Sequence, residues 1–145
     1  MRTTNPAGVT LIKEFEGFVP KSYLCPAGVL TIGYGSTGTH VKRGMTVTRE
    51  EGEALLRYDL LRFERGVEVL TQGVPTTDNQ FAAMVSLAFN IGLAAFTKST
   101  VLKQHRKGNR QRAAAAFLLW IKGGGRKLPG LVRRRNAERK LYLTP

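Results

Sequence analysis

A run of nineteen uncharged residues, from Asn79 to Thr97, limits what this chain can fold into more than any other feature of its sequence. Its length approaches that of a membrane span. Polar residues and a glycine nevertheless interrupt it, at Asn79, Gln80, Ser86, Asn90, Gly92 and Thr97. Apolar side chains recur at the spacing of one helix face, at Phe81, Met84, Val85 and Ala88, and the other faces are apolar too. We therefore predict a buried core helix that ends near Asn90 and Gly92.

The net charge of the chain is +13, and all of it lies in the last third of the sequence. Residues 1–97 carry nine basic and nine acidic side chains, whereas residues 98–145 carry fourteen basic side chains and a single acid, Glu138. Three interpretations stay open on composition alone. The basic segment can be a nucleic-acid-binding face, a surface for anionic cell-envelope polymers, or a solvated helical face.

The cysteine and histidine content excludes two kinds of small protein. Cys25 is the only cysteine, so no intrachain disulfide can form, and His40 and His105 are too few to complete a zinc cluster with it. We expect neither a metal nor another cofactor. The polar residues that follow Met1 indicate no secretory signal segment, so we expect the chain to stay in the cytoplasm where it is made.

A length of 145 residues predicts one domain, and its first third predicts a helix followed by a hairpin. Asn5 and Pro6 have the form of an N-cap and a first helical residue, and Gly17 stops the helix. Prolines and glycines then punctuate residues 20–35, which is typical of strands and tight turns. The segment GYGSTG, residues 33–38, lacks the lysine of a phosphate-binding loop and is interpreted as a turn.

The rest of the chain is predicted to be helical. Thr48 and Glu51 form a capping-box pattern that opens a long helix to about Thr71. Further helix starts are predicted at Ser99, Asn109 and Pro129, and helix stops at Gly108 and at residues 123–125. We expect short helices rather than strands after the core helix. The predicted fold class is α+β, mainly α, with a small hairpin lobe (about 1–47), a linking helix (about 48–71) and a larger helical lobe (about 72–145).

Two acidic residues near the end of the first helix are the candidates for catalysis. Only Glu14 and Glu16 precede residue 50. Because they lie about 200° apart around a helix, only one of them can face a hairpin packed beside it. Glu16 lies in the last turn, where the negative end of the helix dipole suits a general acid. A solvated surface glutamate is the alternative.

Residues 14–38, EFEGFVPKSYLCPAGVLTIGYGSTG, resemble the active-site region of the phage-type lysozymes, the endolysins that cleave peptidoglycan. In that family eight residues separate a helix-end glutamate from an aspartate or cysteine, and five more separate that residue from a threonine. Glu16, Cys25 and Thr31 have this spacing. Two later segments resemble the central helix and the C-terminal helix of the family, namely residues 78–100 and residues 128–143.

The resemblance implies a lysozyme-like fold and hydrolysis of the β-1,4 bond between N-acetylmuramic acid and N-acetylglucosamine. Glu16 would protonate the leaving oxygen. Cys25 stands where the family's usual inverting scheme has an aspartate, which activates water together with the threonine, here Thr31. Two hypotheses follow for Cys25. Either Lys21 or a C-terminal arginine favours its ionisation and it acts as base or nucleophile, or it stays a thiol and helps to position water.

Other residues have weaker assignments. Phe89 and Asn90 match places where the family lines its sugar cleft, although core packing and helix capping explain them equally well. Ser36 occupies a place where a histidine often follows the Gly-Tyr-Gly turn. The surface expected to hold the enzyme against anionic envelope polymers is assigned to three adjacent arginines, Arg133, Arg134 and Arg135.

The partners expected for the chain follow from the same resemblance. We expect a monomer that acts on peptidoglycan glycan strands, without a separate wall-binding module and without a nucleic-acid partner. It would stay in the host cytoplasm until a holin-type pore gives access to the periplasm and cell wall. Two rival functions remain. One is a small basic nucleic-acid-binding domain that would use the three arginines on phosphates. The other is a membrane-active protein that acts through its basic C-terminal helix.

Overall fold

The first two helices begin at the capping residues that the sequence predicts. In the computed structural model, which describes residues 1–145, helix α1 spans Pro6–Glu16 and helix α2 spans Arg49–Leu70. The Asn5 side chain caps α1, because its Oδ1 accepts a hydrogen bond from the Gly8 N–H at 2.9 Å. Thr48 and Glu51 form the reciprocal bonds of a capping box at 2.8 and 3.1 Å.

The remaining elements confirm a mainly helical α+β class. Between α1 and α2 lies one antiparallel hairpin, β1 (Val19–Leu24) and β2 (Leu30–Gly33). After α2 come α3 (Asp78–Ile91), α4 (Leu93–Thr97), α5 (Thr100–Arg106), α6 (Arg110–Ala116), a 3-10 turn (Phe117–Leu119), the strands β3 (Lys122–Gly123) and β4 (Arg126–Lys127), and α7 (Pro129–Leu143).

Two compact units make up the chain. The larger combines Met1–Leu11 with Arg62–Pro145, and the smaller is Ile12–Leu61. The sequence places the whole first helix with the hairpin lobe, whereas the first half of α1 belongs to the larger unit. Helix α2 likewise contributes residues to both units, because the division falls between Leu61 and Arg62.

Helix α3 is the core helix that the uncharged run predicts. All nine residues from Gln80 to Ala88 are buried. Thr77 caps its start through a capping box with Gln80, and Gly92 ends it with φ at +94°. No helix of the chain combines the length and the apolar character that crossing a bilayer requires.

Helix α7 is also a core helix, which corrects the assignment of three adjacent arginines to a surface. Arg133 is exposed, but Arg134 is only 4% exposed and Arg135 is 0% exposed. The side chain of Glu138, which is 0% exposed, holds both buried cations. Its Oε1 lies 2.6 Å from Arg135 Nη1 and its Oε2 lies 3.2 Å from Arg134 Nε. Two of the three arginines therefore neutralise a buried carboxylate instead of facing an envelope polymer.

Neighbouring elements complete this buried network. Ser86 of α3 donates a 2.5 Å hydrogen bond to Glu138 Oε2. Arg135 Nε donates to the Trp120 carbonyl at 2.9 Å, and its Nη2 donates to Asn90 Oδ1. Burial raises the pKa of Glu138, and the two guanidinium groups oppose that shift. The network connects α7 to the end of α3 and to the chain just before β3.

The β3–β4 hairpin contradicts the expectation of helices alone in this region. The glycines at residues 123–125 predict a helix stop, and the structure uses two of them as a turn. Gly124 and Gly125 have φ values of +59° and +79°, as a two-residue turn with left-handed backbone at both positions requires. Lys122 pairs with Lys127, and Gly123 with Arg126. Basic residues and a glycine flank this turn, where a typical strand would alternate apolar and polar residues. No strand pattern is therefore visible in the sequence.

A buried histidine, His105, bridges α7 and the loop before α3. Its Nε2 lies 2.8 Å from Thr76 Oγ1 and its Nδ1 lies 2.6 Å from the Tyr142 hydroxyl. Burial, and to a smaller extent the nearby cations Arg110 and Arg106, lowers the pKa of His105 from 6.5 to about 4. The imidazole is therefore neutral in the folded protein at neutral pH.

Acidification is expected to weaken the fold through this histidine. The pKa of His105 is lower in the folded chain, so between its ordinary value and about 4 the unfolded state binds more protons. The free energy of unfolding should fall by about 2–3 kcal/mol between about pH 7 and about pH 4 from this group alone. Urea unfolding of the wild type and of His105→Gln measures it as the difference between their pH profiles. Parallel profiles for His105→Gln and wild type would contradict the assignment.

Candidate active site

Glu16 is the last residue of α1 and lies in the smaller unit. Gly17, with φ at +73°, ends the helix immediately after it. Glu16 is half-buried, whereas Glu14 is exposed. The two side chains thus differ in exposure, as their helical spacing predicts. Glu16 is the one that packs against neighbouring residues.

The Gly-Tyr-Gly turn lies against the Glu16 carboxylate. Ile32 and Ser36 exchange two backbone hydrogen bonds of 2.9 Å, which close a tight turn over the three residues between them. A Cβ at Gly35 would lie 3.3 Å from Glu16 Oε1, and Gly35 has φ at +89°. Any larger residue at 35 would be strained and would crowd the carboxylate. The turn interpretation of GYGSTG is therefore confirmed, and the turn has the further task of placing Glu16.

Cys25 opens the loop that joins β1 to β2. Its backbone N–H donates to the Val29 carbonyl at 3.0 Å, and its carbonyl accepts from the Gly28 N–H at 2.8 Å. Gly28 has φ at +77°, which lets the chain reverse within this short loop. On the strands that the loop joins, Thr31 lies opposite Tyr23. The hairpin thus brings Cys25 and Thr31 to the same end of the β1–β2 ladder.

Hydrogen bonds around the sulfur favour its ionised form. The backbone N–H groups of Val29 and then of Ala27 lower the pKa of the Cys25 thiol, and the Thr31 hydroxyl contributes in the same direction. Desolvation opposes them only in part. These are hydrogen-bond donors, not the Lys21 ammonium that the sequence suggests as a cause. The donors that favour the thiolate therefore belong to the β1–β2 hairpin itself.

The Thr31 hydroxyl lies near two hydrogen-bond acceptors, the Val29 carbonyl and the Cys25 sulfur, and has one proton to donate. The side chain is buried, and its Oγ1 donates to the Val29 carbonyl at 2.9 Å. The same hydroxyl also lowers the pKa of the Cys25 thiol. Since a hydroxyl carries a single hydrogen, Thr31 can stabilise a thiolate only by turning that hydrogen from the carbonyl to the sulfur.

A hydrogen bond between Ser36 and Asp59 fastens the turn to α2. Ser36 is buried, and its Oγ donates to Asp59 Oδ2 at 2.7 Å. Ser36 therefore does support the turn, at the place where the family often has a histidine. Asp59 is missing from the sequence-based candidates, because nothing in the sequence links a serine in a turn to an acid on a helix 23 residues later.

The two tentative sugar-binding residues lie at the C-terminal end of α3 in the larger unit. Phe89 is half-buried and packs edge-on against Phe63, with ring centroids 5.2 Å apart. Asn90 is exposed, and its Oδ1 accepts the hydrogen bond from Arg135. Both side chains thus have structural partners, and the role in sugar binding stays a prediction.

Comparison with known proteins shows the family of the chain. The phage lysozyme family model matches residues 13–138. The chain is 45% identical over 142 residues to the endolysin of Salmonella phage P22, covering 94% of this chain and 95% of that protein. It is also 45% identical over 140 residues to the endolysin of Bacillus phage B103, covering 95% of this chain and 53% of that protein. The chain therefore spans about half the length of the B103 relative.

Solved structures of phage lysozymes and of a muramidase domain share the fold of this chain. A mutant of P22 lysozyme superposes with a TM-score of 0.92 at 43% identity, covering 99% of this chain and 100% of that one. The muramidase domain of SpmX from Asticaccaulis excentricus also gives a TM-score of 0.92, at 42% identity and full coverage of both chains. The lysozyme-like fold expected from the sequence is confirmed. Since the family model covers most of the sequence and relatives match nearly all of it, this chain belongs to the phage lysozyme family.

Proposed function

We propose that this chain is an endolysin that hydrolyses the β-1,4 bond between N-acetylmuramic acid and N-acetylglucosamine in peptidoglycan, for host lysis and phage release. The observation that carries the proposal is the placement of Glu16, Cys25 and Thr31 within one compact unit of a phage-lysozyme chain. Glu16 lies against a turn that excludes larger side chains, and the β1–β2 loop gives Cys25 donors for a negative charge. Family membership does not favour the rival nucleic-acid-binding module.

Two proton transfers accompany cleavage in this proposal. The Glu16 carboxyl gives its proton to the glycosidic oxygen as the bond from that oxygen to the sugar C1 breaks. The Cys25 thiolate takes a proton from a water molecule whose oxygen forms the new bond to C1. Thr31 holds the thiolate and the water in place. Glu16 is left ionised and Cys25 protonated, and exchange with solvent restores both.

Digestion of purified peptidoglycan tests the proposed bond. Mass spectrometry of the soluble products should show fragments that end in reducing N-acetylmuramic acid. Fragments that end in reducing N-acetylglucosamine, or released peptides with intact glycan, would overturn the proposed bond. The absence of any soluble product would overturn the hydrolytic function itself.

Two substitutions at Cys25 test whether its thiol must ionise for catalysis or acts as a neutral group that positions water. Cys25→Ser should lower kcat by about 100-fold, because an alcohol does not ionise in this pH range and cannot act as the base. Cys25→Asp should keep activity, since the same N–H groups can hold a carboxylate. Wild-type activity should rise with pH through a thiol pKa below its ordinary value of 9, whereas Cys25→Asp should complete that rise at lower pH. Full activity in Cys25→Ser would show that ionisation is not needed.

The stereochemistry of the product distinguishes a base from a nucleophile at position 25. A thiolate that activates water gives inversion at C1, whereas a thiolate that attacks C1 gives a covalent intermediate and retention. We propose the base, because the sulfur stands where the family's inverting scheme has its aspartate. Proton NMR of the first product formed should show the inverted anomer, and the retained anomer would assign the nucleophilic role.

The proposed partners follow the same function. The substrate is the glycan strand, which Phe89 and Asn90 would contact, and the enzyme would work as a monomer. We propose that it stays in the host cytoplasm until a holin-type pore opens the way to the periplasm and cell wall. Eleven of the fourteen basic residues after position 97 are exposed, Arg133 among them. The basic last third would therefore attract anionic envelope polymers through these residues, without Arg134 and Arg135.

A further inference from the structure

Two lysines lie opposite each other across the two strands of the β3–β4 hairpin. Lys122 and Lys127 are direct cross-strand partners, and both side chains are exposed. Like charges in this position destabilise a strand pair. A site that breaks a local folding rule without a structural gain is a candidate for function. A negatively charged partner would remove the repulsion.

No acidic residue within the neighbouring sequence relieves this charge. Residues 98–137 contain no aspartate or glutamate. Arg126 of β4 and Arg133 of α7 are exposed and add to the positive charge. The hairpin therefore presents cations to solvent at the surface of the larger unit.

Exposed apolar side chains flank the same cations. Leu119, just before the hairpin, is 68% exposed, and Leu128, just after it, is 40% exposed. Leu128 packs over the backbone of Gly123, where a Cβ would lie 2.6 Å from its Cδ1. Beside it, an open hollow is lined by Lys127, Pro129, Val132 and Arg133, with walls that are mostly apolar. Leu119 and Leu128 thus place exposed apolar side chains next to the hairpin cations along the chain.

We propose that this hairpin surface, defined as Leu119, Lys122, Arg126, Lys127 and Leu128, docks on an anionic phospholipid bilayer. The cations match lipid phosphates, and the two leucines supply apolar area that can enter the boundary between headgroups and acyl chains. A hydrophilic anionic polymer would use the charges alone and leave the leucines in water, which is why a bilayer fits better.

The surface belongs to the hairpin and not to the C-terminal helix. Arg134, Arg135, Glu138 and Tyr142 of α7 are buried in the core of the larger unit. A helix held in this way cannot lay an amphipathic face on a membrane without unfolding. The hairpin is exposed in the folded protein, so docking requires no loss of structure.

Vesicle sedimentation tests the proposal directly. Wild-type protein should bind vesicles of phosphatidylglycerol mixed with phosphatidylcholine and should not bind vesicles of phosphatidylcholine alone. Lys122→Gln/Lys127→Gln should weaken binding by about 25-fold, because each cation near an anionic surface contributes about fivefold. Its thermal stability should stay the same or rise, since the repulsion between the strands is removed. Leu119→Ala should weaken binding by about tenfold without changing the net charge.

The matched control is Lys103→Gln/Lys107→Gln, which removes two exposed lysines, one within α5 and one just after it. It should lower binding no more than about twofold. An equal loss of vesicle binding in both double variants would show that net charge alone causes the effect. It would overturn the proposed docking role of the hairpin surface. Unchanged binding in Leu119→Ala, or no vesicle binding by wild type, would overturn it as well.

Hydrolysis of lipid-free peptidoglycan separates this proposal from the proposed enzyme function. Leu119→Ala should digest it at the wild-type rate, and a parallel loss of vesicle binding and hydrolysis in this variant would make the surface a substrate contact instead. Vesicle binding should persist in a catalytically inactive chain. Docking and catalysis can thus fail independently of one another.

Discussion

Glutamine in place of Glu16 is expected to lower kcat on peptidoglycan by about 10²–10⁴-fold, the usual contribution of a general acid. Glutamine has nearly the same shape, so it can occupy the space beside Gly35, but it has no proton to give to the leaving oxygen. KM should change little, because the substrate keeps its contacts elsewhere. The rate of solubilisation of purified peptidoglycan measures the effect.

Glu14→Gln is the matched control for this result. It makes the same chemical change two residues earlier on α1, at an exposed position. Its activity should equal that of the wild type, and both variants should unfold at the wild-type temperature. Equal activity in Glu16→Gln and wild type would refute the role of Glu16, and an equal loss in both variants would assign the effect to the charge of the helix end.

Alanine in place of Arg135 is expected to lower the free energy of unfolding by about 3–5 kcal/mol, the cost of breaking a buried ion pair by removing one partner. The change leaves Glu138, which is 0% exposed, without its 2.6 Å contact. It also removes the donors to the Trp120 carbonyl and to Asn90. Urea unfolding followed by circular dichroism measures the loss.

Arg133→Ala makes the same substitution two residues earlier on α7, where the side chain is exposed. It should cost about 0.5 kcal/mol or less. A double variant, Arg135→Met with Glu138→Leu, removes both charges together and should recover much of the stability lost in Arg135→Ala. Equal costs for Arg133→Ala and Arg135→Ala would show that the buried pair contributes nothing.

Local signals in the sequence predict the elements that carry the proposed chemistry. Asn5 with Pro6 and Thr48 with Glu51 predict helix starts because caps act within four residues. The apolar pattern of α3 predicts burial because a helix that is apolar on every face has no side for water. The resemblance to the phage-type lysozymes points to Glu16, Cys25 and Thr31, which lie within one helix and one hairpin, and their catalytic roles stay predictions.

Features that depend on contacts between residues far apart in the chain cannot be predicted from local sequence patterns. Arg134 and Arg135 look like surface cations in the sequence, because no local pattern shows that Glu138 is buried and pairs with both of them. The bond from Ser36 to Asp59 joins a turn to a helix, and no local pattern records it. The β3–β4 hairpin has two residues in each strand, which is too short for strand periodicity to appear.

The loop between β1 and β2 places backbone donors around position 25, the residue that we propose as the base. The N–H groups of Val29 and Ala27 are backbone groups, so they stabilise negative charge whichever element bears it. An oxygen or a sulfur anion can occupy the position without any rebuilding of the scaffold. What changes with the element is the proton affinity, and therefore the acidity of the surroundings in which the enzyme works. A substitution at this one position would therefore change the pH dependence expected for the proposed base without a change in the fold.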